Sequence, residues 1–337
     1  MRATLTTVAN LAIVASVACT VGACARATPR AVGARAAPPA QAPTLAALRS
    51  ARLAVIAHRG FSARAPEHTL AAYDLALAAG ADFIEQDLQQ TADARLVVLH
   101  DETLDRTARG PSAACTGPVR AQPLAALAAC DVSAWFTTRT GLDASPAGIP
   151  VLEDVLRRYA GRARFYIETK SPDEAPGMED SLVAALGRAG LRGQVRDGRP
   201  AVVVQSFSAA SLQRLAERAP EVPRVQLLDR GGLGDAPEAA LDAIAAYAHG
   251  IGPSRHDVTP ALVQAAHARC LVVHPYTVND THEMRRLAEA GVDGMFTDRP
   301  DALRTVARSA TPAAFPARCY GPDAAARPSS PGIAAGR

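Results

Sequence analysis

The sequence predicts a TIM-type (β/α)8 barrel, and three observations predict it. From residue 53 onward, short runs of β-branched residues alternate with Ala/Leu-rich stretches of helical spacing, the pattern of a parallel sheet with helical crossovers. No Gly-rich dinucleotide or phosphate-loop fingerprint follows any of these runs, which argues against an open doubly wound sheet. Acids, histidines and a lysine collect at the C-terminal ends of the strands, where such a barrel carries its functional side chains.

The strands are read at 53–57, 82–87, 164–168, 202–206, 224–228, 249–253, 271–275 and 293–297, eight in all. Helical patterns lie between them at 69–79, 151–160, 179–189, 208–218, 236–247, 259–268 and 281–290. The 337 residues suit one barrel of about 250 residues with tails. With 48% hydrophobic and 20% charged residues, the chain is not disordered as a whole. A net charge of +3 and 4% aromatics give no charge or stacking signal for a nucleic-acid partner.

Residues 1–23 read as an export signal: Arg2 precedes an apolar run from Leu11 to Val21, short of the roughly 20 residues a spanning helix needs. Val21-Gly22-Ala23-Cys24 resembles a bacterial lipobox, so Cys24 is expected to carry acyl chains that tether the protein at the cell envelope. Residues 24–50, rich in Ala, Arg and Pro, read as a flexible linker. Export permits disulfides. Cys115 and Cys130 lie close together in one irregular segment and are expected to pair, leaving Cys270 with Cys319.

A ninth apolar run, Leu96-Val97-Val98-Leu99, follows the second strand too closely for a helical crossover and must return antiparallel. A hairpin arm over 86–100 follows. A two-residue turn at 93–94 sets His100 opposite Asp87, and one at 92–93 sets it opposite Glu85. Either register places the imidazole on the face of both acids. Residues 101–150 hold two cysteines and the only tryptophan, Trp135, and are expected to form a small insert over the barrel mouth. The barrel domain is read as 53–308, and residues 309–337 as a loosely packed Pro/Ala-rich tail.

The strand ends define the candidate site. Glu85 and Asp87 are two apart, hence on one strand face, and Glu168 occupies the same place on the next barrel strand. Three converging carboxylates repel one another, and a hard divalent cation, Ca²⁺ or Mg²⁺, relieves that conflict. Buried ion pairs with Arg59 and Lys170 are the structural alternative. A glycosidase carboxylate pair is a third reading, disfavoured because that chemistry needs neither the histidines nor the cations beside them. His58 and His100 are candidate acid and base, and Arg59 and Lys170 candidate clamps for an anion such as phosphate. Of 36 basic residues, Lys170 is the only lysine, so an ammonium that a guanidinium cannot replace is expected there. His274 and Tyr276, at another strand end, either line the pocket or pack its rim. His249, His256, His267 and His282 are read as solvated or packed.

These residues closely resemble the glycerophosphodiester phosphodiesterases of the phospholipase-C-like phosphodiesterase superfamily. The resemblance runs through Ala57-His58-Arg59-Gly60, Pro66-Glu67-His68-Thr69, Phe83-Ile84-Glu85-Gln86-Asp87, Val98-Leu99-His100-Asp101, Leu104-Asp105-Arg106-Thr107 and Ile167-Glu168-Thr169-Lys170. It continues through Gln205-Ser206-Phe207, Tyr276-Thr277-Val278-Asn279 and Gly291 to Asp298, so that it spans about 53–308. It implies a barrel hydrolase that releases sn-glycerol 3-phosphate and an alcohol. His58 and His100 would be acid and base, Glu85, Asp87 and Glu168 the ligands of one divalent metal, and Arg59, Lys170 and Tyr276 the substrate-binding residues. Which histidine is the base is open, with a lean to His58. Two positions depart from the usual pattern: His68 stands where Asn is common, and Ala94 where Gly usually follows Asp. The Tyr-Thr-Val form looks like the exported branch. The rival readings are a phospholipase C or sphingomyelinase D type enzyme acting on intact lipid, and a non-catalytic lipoprotein that binds phosphodiesters.

Overall fold

The computed structural model describes residues 47–49, 52–110 and 113–320. The expected signal, Cys24 and nearly all of the linker lie outside the described residues, as does the tail beyond 320. No helix among the described residues is long and apolar enough to cross a membrane.

Eight parallel strands form the barrel: β1 (Ala54–Ala57), β2 (Phe83–Gln90), β4 (Phe165–Thr169), β7 (Val202–Ser206), β8 (Arg224–Leu228), β9 (Gly250–Pro253), β10 (Val272–Val273) and β11 (Gly294–Thr297). Their order around the barrel is β1-β2-β4-β7-β8-β9-β10, with β11 on the other side of β1. The ring is completed where Asp293 N donates to Val273 O and Phe296 N to Pro275 O, both at 3.0 Å. Helices α1 (Leu70–Ala78), α4 (Leu152–Tyr159), α5 (Met178–Arg188), α6 (Ala209–Arg218), α7 (Pro237–Ala245), α8 (Pro260–Ala268), α9 (Thr281–Glu289) and α10 (Pro300–Ala307) cover the outside. Several start where the sequence supplies a cap: the side chains of Thr69, Ser208, Thr259 and Asp280 accept from backbone N–H groups of the first turn. Helix α10 has no counterpart in the sequence reading, and strand 271–275 is reduced to two residues before Pro275.

Side-chain alternation sorts each strand into an outer face under the helices and an inner face. Ala54, Ile56, Phe83, Tyr166, Val203, Val225, Val272 and Phe296 form the barrel's own core. One step toward the C-terminal end, the same inner face becomes polar. Pairing sets Glu85 beside Tyr166, Asp87 beside Glu168, and Glu168 beside Gln205. The apolar plug is thus the floor of the site.

The hairpin arm differs from the expectation. Strand β3 (Leu96–Val98) returns on β2 with Leu88 opposite Val98 and Gln90 opposite Leu96. The loop holds three residues, with Ala94 at φ 57°, the bulge-forming turn in which the last loop residue is left-handed. That register is the one between the two expected, and continued by one pair it would set His100 opposite Gln86. His100 reaches the site because the ladder ends with Leu99 N donating to Asp87 O at 3.0 Å and the chain then leaves the sheet.

The insert contains the short helices α2 (Leu124–Leu127) and α3 (Ala134–Thr140) around a small core that includes Val97, Leu99, Leu104 and Leu127. A two-stranded hairpin, β5 (Val195–Arg196) and β6 (Arg199–Pro200), precedes β7. Both expected disulfides are present, Cys115–Cys130 within the insert and Cys270–Cys319. The second bond corrects the reading of 309–337 as a loose tail over its described part. Phe315 and Cys319 are buried against Leu48 and Ala54, Phe315 stacks on His267 at 4.1 Å, and the Arg49 guanidinium donates to the carbonyls of Cys270 and Cys319. The segment plugs the barrel end remote from the site.

Closing a loop between residues 49 apart constrains the unfolded chain more than the 15-residue separation of the other bond. Chain entropy puts that constraint at about 4 kcal/mol. Replacing Cys270 and Cys319 together by Ser is therefore expected to lower the urea midpoint by a corresponding amount without changing catalytic rates. An unchanged midpoint would contradict it.

Candidate active site

His58 follows β1 directly. Its Nδ1 lies 2.7 Å from Asp298 Oδ1 at the end of β11, while Asn279 and Ser62 donate to the same carboxylate at 2.6 and 3.0 Å. Burial opposes ionisation of Asp298, but these hydrogen bonds and the His58 imidazole hold its carboxyl down at about 2. The next residue, Arg59, has φ 58°, an uncommon conformation for a side-chain-bearing residue. It turns its N–H onto Glu85 Oε2 at 2.8 Å and its guanidinium between Glu67, 3.0 Å away, and Asp87, 3.5 Å away. Gly60 continues the turn at φ 87°, and a Cβ there would stand 2.8 Å from the Ala72 backbone. The glycine of the His-Arg-Gly motif is thereby explained.

On the opposite flank, His100 Nδ1 lies 2.7 Å from Asp101 Oδ1, and its Nε2 lies 3.2 Å from Lys170 Nζ. Burial is the main influence lowering the His100 imidazole below its usual range; the Lys170 ammonium adds to it, against the pull of Asp101. At both histidines a carboxylate accepts from Nδ1, which turns Nε2 into the site. Arg59 Nε donates to that of His58 at 3.3 Å, and Lys170 to that of His100.

Between the flanks stand the acids. Burial, then the charges of Asp87 and Glu168, push the Glu85 carboxyl well above its ordinary value. Burial and Asp87 push Glu168 up to about 8 despite Lys170, whose ammonium lies 3.0 Å from Glu168 Oε1. Burial opposes ionisation of Asp87 as well, but the His68 hydrogen bond, Arg59 and Lys170 keep its carboxyl well below the usual range. His68, the departure from the usual Asn, is buried. Its Nε2 meets Asp87 Oδ2 at 2.9 Å, and its Nδ1 meets the Tyr73 hydroxyl at 3.0 Å.

The donor set fits a hard divalent cation. His68, Glu85 and Asp87 each offer an atom within 4.8 Å of the others. Glu168 stands beside Asp87 across the β2–β4 pair. The Gln205 side chain reaches Glu85 at 3.4 Å through its nitrogen, and its buried oxygen has no hydrogen-bond partner among the described residues. Carboxylates held at unfavourable charge next to an orphaned amide oxygen are what a small cation would satisfy.

The structure therefore brings together seven of the eight sequence-predicted residues. Tyr276 lies behind Phe207, which lines the opening beside His100 and Lys170: its hydroxyl donates to Leu228 O at 2.9 Å and its ring meets Phe207 edge-on at 5.9 Å. His274 is buried inside the barrel against the Tyr166 hydroxyl at 2.9 Å and packs rather than lining the mouth. Sequence reasoning missed the ionic ties. Arg106 holds Asp101 at 2.5 Å and Glu67 at 2.7 Å, so Asp101, Arg106, Glu67 and Arg59 form one chain between the flanks. All four lie inside the quoted motifs, but Glu67 and Arg106 are 39 apart, and no periodicity links them.

Two openings lead to the histidines. One of about 330 Å³ is lined by His58, Arg59, Glu67, Arg106, Trp135 and Arg139 among others. The other, about 700 Å³, is lined by His100, Glu168, Lys170, Phe207 and their neighbours. A larger groove of about 960 Å³, between α1 and residues 143–158, contains none of the predicted site residues.

A parallel barrel with paired imidazoles, guanidinium and ammonium groups and clustered acids at its C-terminal mouth belongs to the class of phosphoric diester hydrolases. Residues 58–302 match the glycerophosphoryl diester phosphodiesterase family. The chain is 41% identical over 260 residues to the glycerophosphodiester phosphodiesterase of Bacillus subtilis, covering 76% of this chain and 86% of the relative. Among solved structures, it superposes on the glycerophosphodiester phosphodiesterase of Agrobacterium tumefaciens with a TM-score of 0.60 and 32% identity, over 75% of this chain and 99% of that one. An Oleispira antarctica phosphodiesterase in complex with the product sn-glycerol-3-phosphate gives a TM-score of 0.62 at 26% identity, over 77% and 98% of the two chains. The chain belongs to the glycerophosphoryl diester phosphodiesterase family.

Proposed function

We propose that this enzyme hydrolyses glycerophosphodiesters to sn-glycerol 3-phosphate and an alcohol, by acid–base catalysis between His58 and His100 in a divalent-metal-dependent site. The observation that carries the mechanism is the matched pair of imidazoles. Each has Nδ1 tied to a carboxylate and Nε2 turned toward a cation, across a cluster of buried acids.

Glu85, Asp87 and Glu168 would hold the metal, with His68 and Gln205 Oε1 beside them; when bound, it supplies charge stabilisation to phosphoryl oxygens. Arg59 and Lys170 flank the phosphate and oppose the charge that grows on it. The two orienting carboxylates differ. Asp101 is neutralised by Arg106, whereas among the described residues Asp298 has no cation but His58. At His100, burial and the nearby Arg59 and Lys170 charges disfavour protonation and keep a neutral imidazole ready to accept a proton. We assign His100 as the base that takes the nucleophile's proton on Nε2. His58 is then the acid that delivers a proton to the departing alkoxide, the reverse of the lean taken from sequence. The nucleophile is water, giving glycerol 3-phosphate directly, or a hydroxyl of the substrate glycerol, giving a cyclic phosphate that a water then opens to glycerol 3-phosphate.

We also propose export with a tether at Cys24. Two disulfides in the folded part support an oxidising compartment.

A coupled assay for glycerol 3-phosphate, on glycerophosphocholine with and without added Ca²⁺ or Mg²⁺, tests the reading. Metal-stimulated release is expected. Product release only from intact phospholipid vesicles would favour a phospholipase-like enzyme instead, and binding without turnover a capture protein.

A further inference from the structure

The opening on the His58 side carries an unmatched positive charge supplied by the insert. Arg59 and Arg106 line it, but both are committed to Glu67, Asp87 and Asp101. The carboxylates that line it, Glu67 and Asp298, are committed in turn to those arginines and to His58. Arg139 completes the wall from helix α3. It is exposed, and no carboxylate pairs with it among the described residues. Its guanidinium instead lies 6.0 Å from the centre of the Trp135 ring, which also carries the Arg106 guanidinium at 5.3 Å. Trp135 is fixed in turn, with Nε1 donating to Val132 O at 2.9 Å. The indole therefore holds a cation on the wall of a pocket that His58 also lines.

We infer that Arg139, steadied by Trp135, is a specificity-determining residue that selects glycerophosphodiesters whose alcohol carries a further negative charge. The inference rests on the proposed hydrolysis and adds the substrate class. A cationic headgroup entering here would meet Arg139 unfavourably and gain no unpaired acid. A neutral polyol could accept hydrogen bonds but would leave the guanidinium charge unanswered. A phosphate or carboxylate answers it.

The test compares kcat/KM for three diesters differing in headgroup charge: glycerophosphocholine, glycerophosphoglycerol and glycerophosphoglycerol bearing a terminal phosphate. Arg139→Gln is expected to lower kcat/KM for the doubly phosphorylated substrate about fivefold, as for an ion pair open to solvent. Glycerophosphocholine should stay within about twofold. Arg139→Glu is expected to raise glycerophosphocholine above the parent and to lower the anionic substrate further. Added salt should narrow the parent's preference. Equal losses for all three substrates would mean that Arg139 binds the common glycerol or phosphate, and would overturn the inference, as would no change in any of them. A parent chain that hydrolyses none of the three would overturn the hydrolytic reading itself, and this assignment with it.

Discussion

Replacing His100 by Ala is expected to lower kcat on glycerophosphocholine by about 10²–10⁴, the usual contribution of a positioned acid or base. Its side chain is about one-third exposed and, among the described residues, bonded only to Asp101 and Lys170, so the barrel should keep its thermal midpoint. His58→Ala is expected to fall in the same range. Because the two groups serve opposite ends of one displacement, the double variant should lose much less than the product of the single losses. The measurement is a steady-state rate with each folded variant at saturating metal. Near-parental turnover by His100→Ala would remove the histidine pair from the mechanism.

Exhaustive chelation is expected to abolish turnover and to lower the thermal midpoint, with both restored by Ca²⁺ or Mg²⁺. The physical ground is the acid cluster: without a cation, burial and mutual repulsion hold Glu85 and Glu168 above their ordinary ionisation ranges. A ligand bound only by the native state adds about 2.7 kcal/mol at a hundredfold excess over its Kd, a shift readily seen by calorimetry. Glu85→Gln removes one charged oxygen from the proposed metal site and should weaken metal binding measured by titration, independently of any rate. Full activity after chelation, or calorimetry that detects no binding of either ion, would contradict the site.

The barrel was legible because its signals are local. Alternating β-branched and Ala/Leu segments locate all eight strands, and the two-residue spacing of Glu85 and Asp87 puts both acids on the inner face. What escaped depends on three-dimensional closure. The arm register turned on Ala94 adopting a left-handed conformation in a three-residue loop, which alanine does not advertise. The burial of Phe315 and Cys319 depends on a disulfide to a segment 49 residues away, invisible in a Pro/Ala-rich composition. The fixed orientation of the histidines depends on Asp298, Asn279 and Arg106, polar residues whose partners only folding identifies. His68 could be recognised as a departure, but its contact with Asp87 could not.

The ionic chain from Asp101 through Arg106 and Glu67 to Arg59 gives the mouth a common girder. Its two ends brace the two histidines' surroundings, and Arg106, one of its two inner members, comes from the excursion after the hairpin rather than from the barrel itself. That excursion is therefore part of the engine frame: a shortened relative lacking it would have to brace both flanks anew.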